Sequence, residues 1–196
     1  RSPELELNDA GFLQSADEIN HFTWVGYQLQ KPFSVFRNAR INYNHWARWD
    51  FGGQFLYSAF NTNMFAWFKN YWQAGTGLTY NPVEISNNAL RGGSSLRRPP
   101  GMGTFVNITS DSRKKVAVGA ETFFAWGFGN TVRVQNYSLS ASFQPVNAMQ
   151  LNLSPAYGRS WRKQDQFVAA SNFKGQLRTI VSEVEERNFS ISARFT

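Results

Sequence analysis

Two histidines, thirteen acidic residues and no cysteine are the groups from which this 196-residue chain could assemble a reactive centre. A zinc-type site would need His21 and His45 to fall beside carboxylates at ligand spacing, and no such grouping stands in the sequence. The GxSxG elbow and the HExxH helix motif are both absent. Asp9, Asp17, Glu84 and Glu121 could work as a hydrolytic acid–base pair only if two of them met within a few ångströms across a cavity. The ordinary role for Glu121 is an ion pair with an arginine on a neighbouring strand. The absence of cysteine excludes disulfides and thiol chemistry. No catalytic residue, metal ligand or cofactor is therefore assigned. The net charge is +7 and the pI is near 9.9. A nucleic-acid surface would concentrate that charge in a stripe. The one short candidate is Arg113-Lys114-Lys115, and no nucleic-acid partner is expected.

The elements that would carry these side chains show a period of two. In 41–49, Ile41, Tyr43, Ala47 and Trp49 alternate with Asn42, Asn44 and Arg48, with Trp46 as an exception. In 115–126, Val116, Val118, Ala120, Thr122, Phe124 and Trp126 oppose a set that includes Lys115, Gly119 and Glu121. Tyr137, Leu139, Ala141 and Phe143 alternate with serines. Leu151, Leu153, Tyr157 and Trp161 alternate with Asn152, Ser154, Gly158 and Ser160, and Phe189, Ile191, Ala193 and Phe195 alternate with Ser190, Ser192 and Arg194. One face is aromatic and aliphatic, and the other is small, amide-bearing or arginine. A soluble sandwich also alternates. What separates the two readings is the concentration of tyrosine and tryptophan near strand ends, where rings sit at a headgroup boundary. No run of eighteen apolar residues occurs, so helical spans are excluded. Aromatics reach 16% while mean hydropathy is only −0.43, as expected when every second residue faces a wet interior.

The pattern predicts an all-β fold: an antiparallel transmembrane β-barrel, or a contiguous part of a larger one, with about 10–12 strands. Strands are expected at 21–31, 34–48, 51–62, 64–80, 103–110, 114–127, 131–144, 147–161, 164–174 and 176–195, the last broken by the charged SEVEERN. Residues 1–20 form an acidic lead-in or linker, and 21–196 the barrel strands. The chain opens on RSPELELND with no initiator methionine or signal peptide, as a processed product or a part of something longer would. Residues 81–103, rich in arginine, glycine and proline, are expected to form a long loop. Arg91, Arg97 and Arg98 would place positive charge there. Lumen-facing candidates are Arg48, Lys69, Gln73, Glu121, Gln150 and Arg194. Lipid-facing or girdle candidates are Phe68, Trp72, Tyr80, Phe124, Trp126, Tyr137, Phe143, Tyr157, Trp161, Phe189 and Phe195.

Three motifs carry a resemblance: NDAGF at 8–12 with Ala16-Asp17, LRGGSSLRRPPG at 90–101, and SEVEERNFSISARF at 182–195. With them the chain resembles the carboxy-terminal barrel domain of an outer-membrane family found in Bacteroidetes and related bacteria. The resemblance implies an upstream carbohydrate-binding family 9-like module. It also implies a barrel of unassigned activity, in proteins sometimes called membrane-associated hydrolases, and further strands beyond Thr196. It carries over no catalytic residue.

The expected function is an anchor or scaffold in the bacterial outer membrane, serving an upstream periplasmic module or a membrane complex. A pore or transporter for polar solutes or glycans is the alternative, and a membrane-associated hydrolase the second. The expected partners are outer-membrane lipid or lipopolysaccharide, the upstream carbohydrate-binding module, or other outer-membrane proteins. The sequence leaves open the solute, the strand total and the partner's identity.

Overall fold

The computed structural model describes residues 17–87, 89–90, 95–146 and 148–196, among which there are ten strands and no helix. In chain order they are β1 (Ile19–Leu29), β2 (Phe36–Trp49), β3 (Phe55–Phe68), β4 (Gln73–Ser86), β5 (Leu96–Arg98), β6 (Gly101–Thr109), β7 (Val116–Gly127), β8 (Val132–Val146), β9 (Met149–Phe173) and β10 (Gln176–Phe195). All pairings are antiparallel and follow the chain, β1-β2-β3-β4-β6-β7-β8-β9-β10, with the short β5 bonded to β4. The expected all-β antiparallel architecture is present. The sheet is open: among the described residues β1 pairs only with β2, and β10 only with β9.

Register sorts the side chains into two faces. Cross-strand partners share a face in an antiparallel pair, so the series Tyr43, Thr62, Leu78, Thr104, Phe124 lies on one side. The series Asn44, Asn61, Thr79, Gly103, Ala125 lies on the other. We call the first the apolar face and the second the asparagine face. Burial across them is inverted relative to a water-soluble sheet. Ile41, Tyr43 and Met64 are 45%, 42% and 49% exposed, whereas Asn42 and Asn44 are 6% and 8% exposed. Soluble proteins bury large apolar groups and seldom expose a contiguous patch of them.

The connections gather at two ends, called the short-turn and long-loop ends after the span between Ser86 and Leu96 at the latter. At the short-turn end, strands are joined through 30–35, 69–72 and 110–115, and by the turn between Val146 and Met149. At the long-loop end lie 50–54, 128–131 and the ends of β4 and β5 at Ser86 and Leu96, together with the far part of the β9–β10 hairpin. That hairpin closes at Lys174 and Gly175, whose φ values of 51° and 77° are those of a two-residue turn with both central residues left-handed.

Four boundary expectations are corrected. The spans 147–161 and 164–174 are not two strands but one, β9. The span 64–80 is not one strand but the β3–β4 hairpin, turning at Lys69–Trp72. The register pairs Trp67 with Gln73 and Met64 with Thr76, enclosing an odd number of residues, so the same parity stays on the same face before and after the turn. Alternation through the turn therefore imitates one long strand. The charged SEVEERN is not a break: β10 runs through it, with register shifts between Ile180 and Val181 and between Ser182 and Val184 absorbing the irregularity. Within the loop expected at 81–103, β4 continues to Ser86, β5 lies at Leu96–Arg98 and β6 begins at Gly101.

Candidate functional site

The asparagine face holds the polar groups that could bind a solute or fill an interior, and three arrangements occupy it. The first is an amide ladder across β2, β3 and β4. Asn44 Nδ2 donates to Asn61 Oδ1 at 2.8 Å, and Asn42 Nδ2 to Asn63 Oδ1 at 2.7 Å. Asn63 Nδ2 then donates to Asn61 Oδ1 at 2.6 Å. Asn61 Nδ2 passes the chain on to Thr79 Oγ1 at 2.9 Å and to the Leu78 carbonyl at 3.2 Å. A primary amide both donates and accepts, so successive asparagines can satisfy one another while buried. Asn61 is the hub, using acceptor and donor on both sides. Arg40 Nε and Asn42 Oδ1, one pleat apart on this face, are buried without a hydrogen-bond partner.

The second arrangement is aromatic. Phe65, Phe105 and Phe123 share the face with the asparagines, and the Phe65 and Phe105 ring centroids stand 6.2 Å apart. Their room comes from glycine. A Cβ on Gly75 would come within 2.7 Å of the Phe65 ring, and one on Gly77 within 2.5 Å of the Phe105 ring. Each ring thus lies across the neighbouring strand, where any side chain would lift it off. The Arg40 guanidinium covers the other side of Phe65 at 5.3 Å from its centroid, a cation–π distance.

The third lies at the long-loop end, where β5 folds along β4. Arg98 sits opposite Glu84 and pairs with it. Beside them a cavity of about 350 Å³ is lined by Asn81, Met102, Phe123, Trp126, Val132 and Arg162, among others. Asn81 Nδ2 donates to the Tyr57 hydroxyl at 2.8 Å.

Of the lumen-facing candidates, Arg48, Glu121, Gln150 and Arg194 lie on the asparagine face. Arg48 Nη1 reaches Glu18 Oε1 at 3.0 Å, and its guanidinium stands 5.5 Å from the Tyr57 ring centroid. Glu121 lies opposite Asn107 and Ser138 rather than an arginine. Gln150 Nε2 donates to Ser142 Oγ at 3.0 Å and to Asn152 Oδ1 at 3.1 Å. Arg194 lies opposite Asn152. Gln73 starts β4 opposite Trp67, at the edge of this face. Lys69 lies in the β3–β4 turn rather than on a strand, and its backbone N–H donates to the Val35 carbonyl at 2.9 Å. Of the loop candidates, Arg98 pairs with Glu84, Arg97 is exposed opposite Ile85, and Arg91 lies outside the described residues.

The girdle candidates Phe68, Tyr80, Phe124, Trp126, Tyr137, Phe143, Tyr157, Trp161, Phe189 and Phe195 share the apolar face by register. Trp72 closes the β3–β4 turn beside them, its N–H bonded to Asn70 Oδ1 at 3.1 Å. Tyr137 packs edge-on to Phe124 at 5.6 Å and stacks with Tyr157 at 6.5 Å.

Sequence reasoning met Trp46, Phe65 and Trp67 only as exceptions to the polar pattern and missed the other rings of the asparagine face, Phe22, Trp24, Phe105 and Phe123. The signal was the run of glycines at 75, 77 and 103, whose cross-strand partners are large rings or their neighbours. It also missed a Ser58 Oγ to His45 Nε2 contact of 3.4 Å. The His45 ring is stacked on Phe60 at 4.6 Å and stands 5.9 Å from His21. His21 Nε2 meets Thr23 Oγ1 at 2.7 Å, so the ring contacts of both histidines are to hydroxyls and aromatic rings rather than to the carboxylate of a triad. Of the four carboxylates considered for acid–base chemistry, Asp9 lies outside the described residues. Asp17 accepts the Phe51 N–H at 2.8 Å. Glu84 faces Arg98, and Glu121 faces an amide and a hydroxyl. No group of three or more metal-binding side chains occurs among the described residues.

The family model for a domain of unknown function, DUF5916, matches residues 1–195. The chain belongs to that family, in keeping with the whole-chain span of the resemblance noted in its motifs. No curated protein and no solved structure matches it.

Proposed function

We propose that this DUF5916 chain is the membrane-spanning part of an outer-membrane β-barrel that works as an anchor or scaffold. The observation that carries the reading is the inverted burial: amides are enclosed on one face while tyrosine, isoleucine, leucine and phenylalanine stand exposed on the other. Hydrocarbon removes the penalty on those exposed side chains and makes the enclosed amides the economical interior. The full-length strands have at least nine residues, enough to cross a hydrocarbon core at a tilt. In lipid, the backbone groups along the β1 and β10 edges must also be paired, because each unmet group costs several kcal/mol.

Scaffold is favoured over channel by what fills the asparagine face. The amide ladder and the rings laid over glycines take up the space that a solute path would need. A second reading, a pore for polar solutes, is favoured by the cavity beside Glu84 and Arg98 at the long-loop end. Reconstitution of the purified protein into planar bilayers separates the two. The scaffold reading expects insertion with no steady conductance steps. Steps of constant size would replace it with the pore, and failure to insert would remove both.

A further inference from the structure

The short-turn end gathers Lys31, Arg37, Lys69, Arg113, Lys114 and Lys115 within three turns and their flanking residues, and the only carboxylate among them is Asp111. These turns are fastened to one another. The Lys69 N–H donates to the Val35 carbonyl at 2.9 Å, joining the first turn to the second. Tyr71, held at a φ of 66°, lies between two guanidiniums: Arg113 at 3.2 Å and Arg37 at 4.9 Å from its ring centroid. That joins the third turn to the other two. The Gln144 N–H donates to the Lys115 carbonyl at 2.7 Å, extending the assembly to β8. Asp111 is consumed locally, because Arg113 Nε and Nη2 each meet one of its oxygens at 2.9 Å.

This cap borders the apolar face directly. Phe33 packs on Phe36, and Phe36 on Phe68, each pair at 5.1 Å, while Val35, Trp72 and Val116 stand exposed nearby. Exposed cations set just beyond a ring of aromatic side chains are placed where lipid phosphates lie.

We propose that the three-turn cap is a binding surface for the headgroups of anionic phospholipids in the leaflet at the short-turn end. The proposal rests on the membrane-spanning reading and adds the lipid class, the end of the barrel and the residues. Lys69, Lys114 and Lys115 supply mobile charge, and the Tyr71–Arg113–Asp111 assembly holds the turns that present it.

The test is association of the refolded protein with phosphatidylcholine vesicles, with and without phosphatidylglycerol. Phosphatidylglycerol is expected to strengthen association in a salt-sensitive way. The triple variant K69Q/K114Q/K115Q is expected to lose about a hundredfold of that gain, at roughly fivefold per cation. The lysine-to-arginine triple at the same positions keeps the gain. The triple R97Q/R133Q/K163Q removes equal charge from the rest of the sheet and keeps most of it. Association indifferent to phosphatidylglycerol, or equal losses in the two glutamine triples, overturns the cap and leaves the membrane reading standing. No association with either vesicle removes the membrane reading and the cap with it.

Discussion

Asn44 and Tyr43 are neighbours in the chain and opposites in surroundings: the amide is enclosed and hydrogen-bonded to Asn61, and the ring stands open. The contrast is sharpest in β2 and β3, where Asn42 and Asn61 are buried as well while Ile41 and Met64 stand exposed. On the asparagine face, specificity comes from directional bonds and from rings that fit only over glycine. On the apolar face the rings touch mainly their own neighbours, and what should cover them is a solvent rather than a partner. The two faces are therefore expected to respond in opposite ways to one substitution.

A lysine is the sharpest probe. Leu139, midway along β8 on the apolar face, replaced by lysine should cost insertion about 2–4 kcal/mol. The adjacent Ser138→Lys, opposite Glu121 on the asparagine face, should cost far less. Folding into lipid vesicles followed by urea titration measures both, and equal costs would erase the distinction. Next is the packing of rings on glycine. Gly77→Val would force the Phe105 ring away and should destabilise by about 1–3 kcal/mol, whereas F105A/G77V should recover part of the loss in the same titration. Asn61→Leu removes the hub of the ladder and strands its partners, for about 1–3 kcal/mol. A loss below the error of the measurement would make the ladder dispensable.

The smallest effects lie at the two ends of the sheet. The hydrogen bonds from Arg113 hold the Asp111 carboxyl down to about 2, from an ordinary value of 3.8. A carboxylate lowered on folding contributes stability that is complete above its unfolded value and lost as pH falls through the folded one. The cap should therefore stay closed from neutral pH to below 4 and open towards 2, which amide exchange at Arg113 and Lys114 would report. Arg98→Ala breaks a half-exposed pair and should cost at most about 1 kcal/mol of stability.

The alternation in β2, β7, β8 and β10 was legible because one parity held most of the large apolar groups, with Trp46 and Phe123 as exceptions. It became illegible at 69–72, where the register, pairing Trp67 with Gln73, conserves parity and hides the turn in the pattern. The aromatic side chains of the asparagine face were hidden for another reason. Phe65 and Phe105 are admitted there by glycines on a neighbouring strand, and cross-strand proximity is not visible along the chain. Arg48, Gln150 and Arg194 were placed on their face by parity alone. Their partners Glu18, Ser142 and Asn152 come from register, which the chain does not announce.

The count of strands has a directional consequence. Leaving aside the three-residue β5, nine strands run the length of the sheet, each antiparallel to the next. The first and the ninth therefore point the same way. If β1 and β10 were brought together they would meet as a parallel seam, the one such junction in an otherwise antiparallel ring. A fully antiparallel ring instead needs an odd number of additional strands between those two edges. A disulfide scan across the free edges of β1 and β10 in the lipid-inserted protein would tell a seam from an intervening strand, since only a seam brings the two edges within bonding distance.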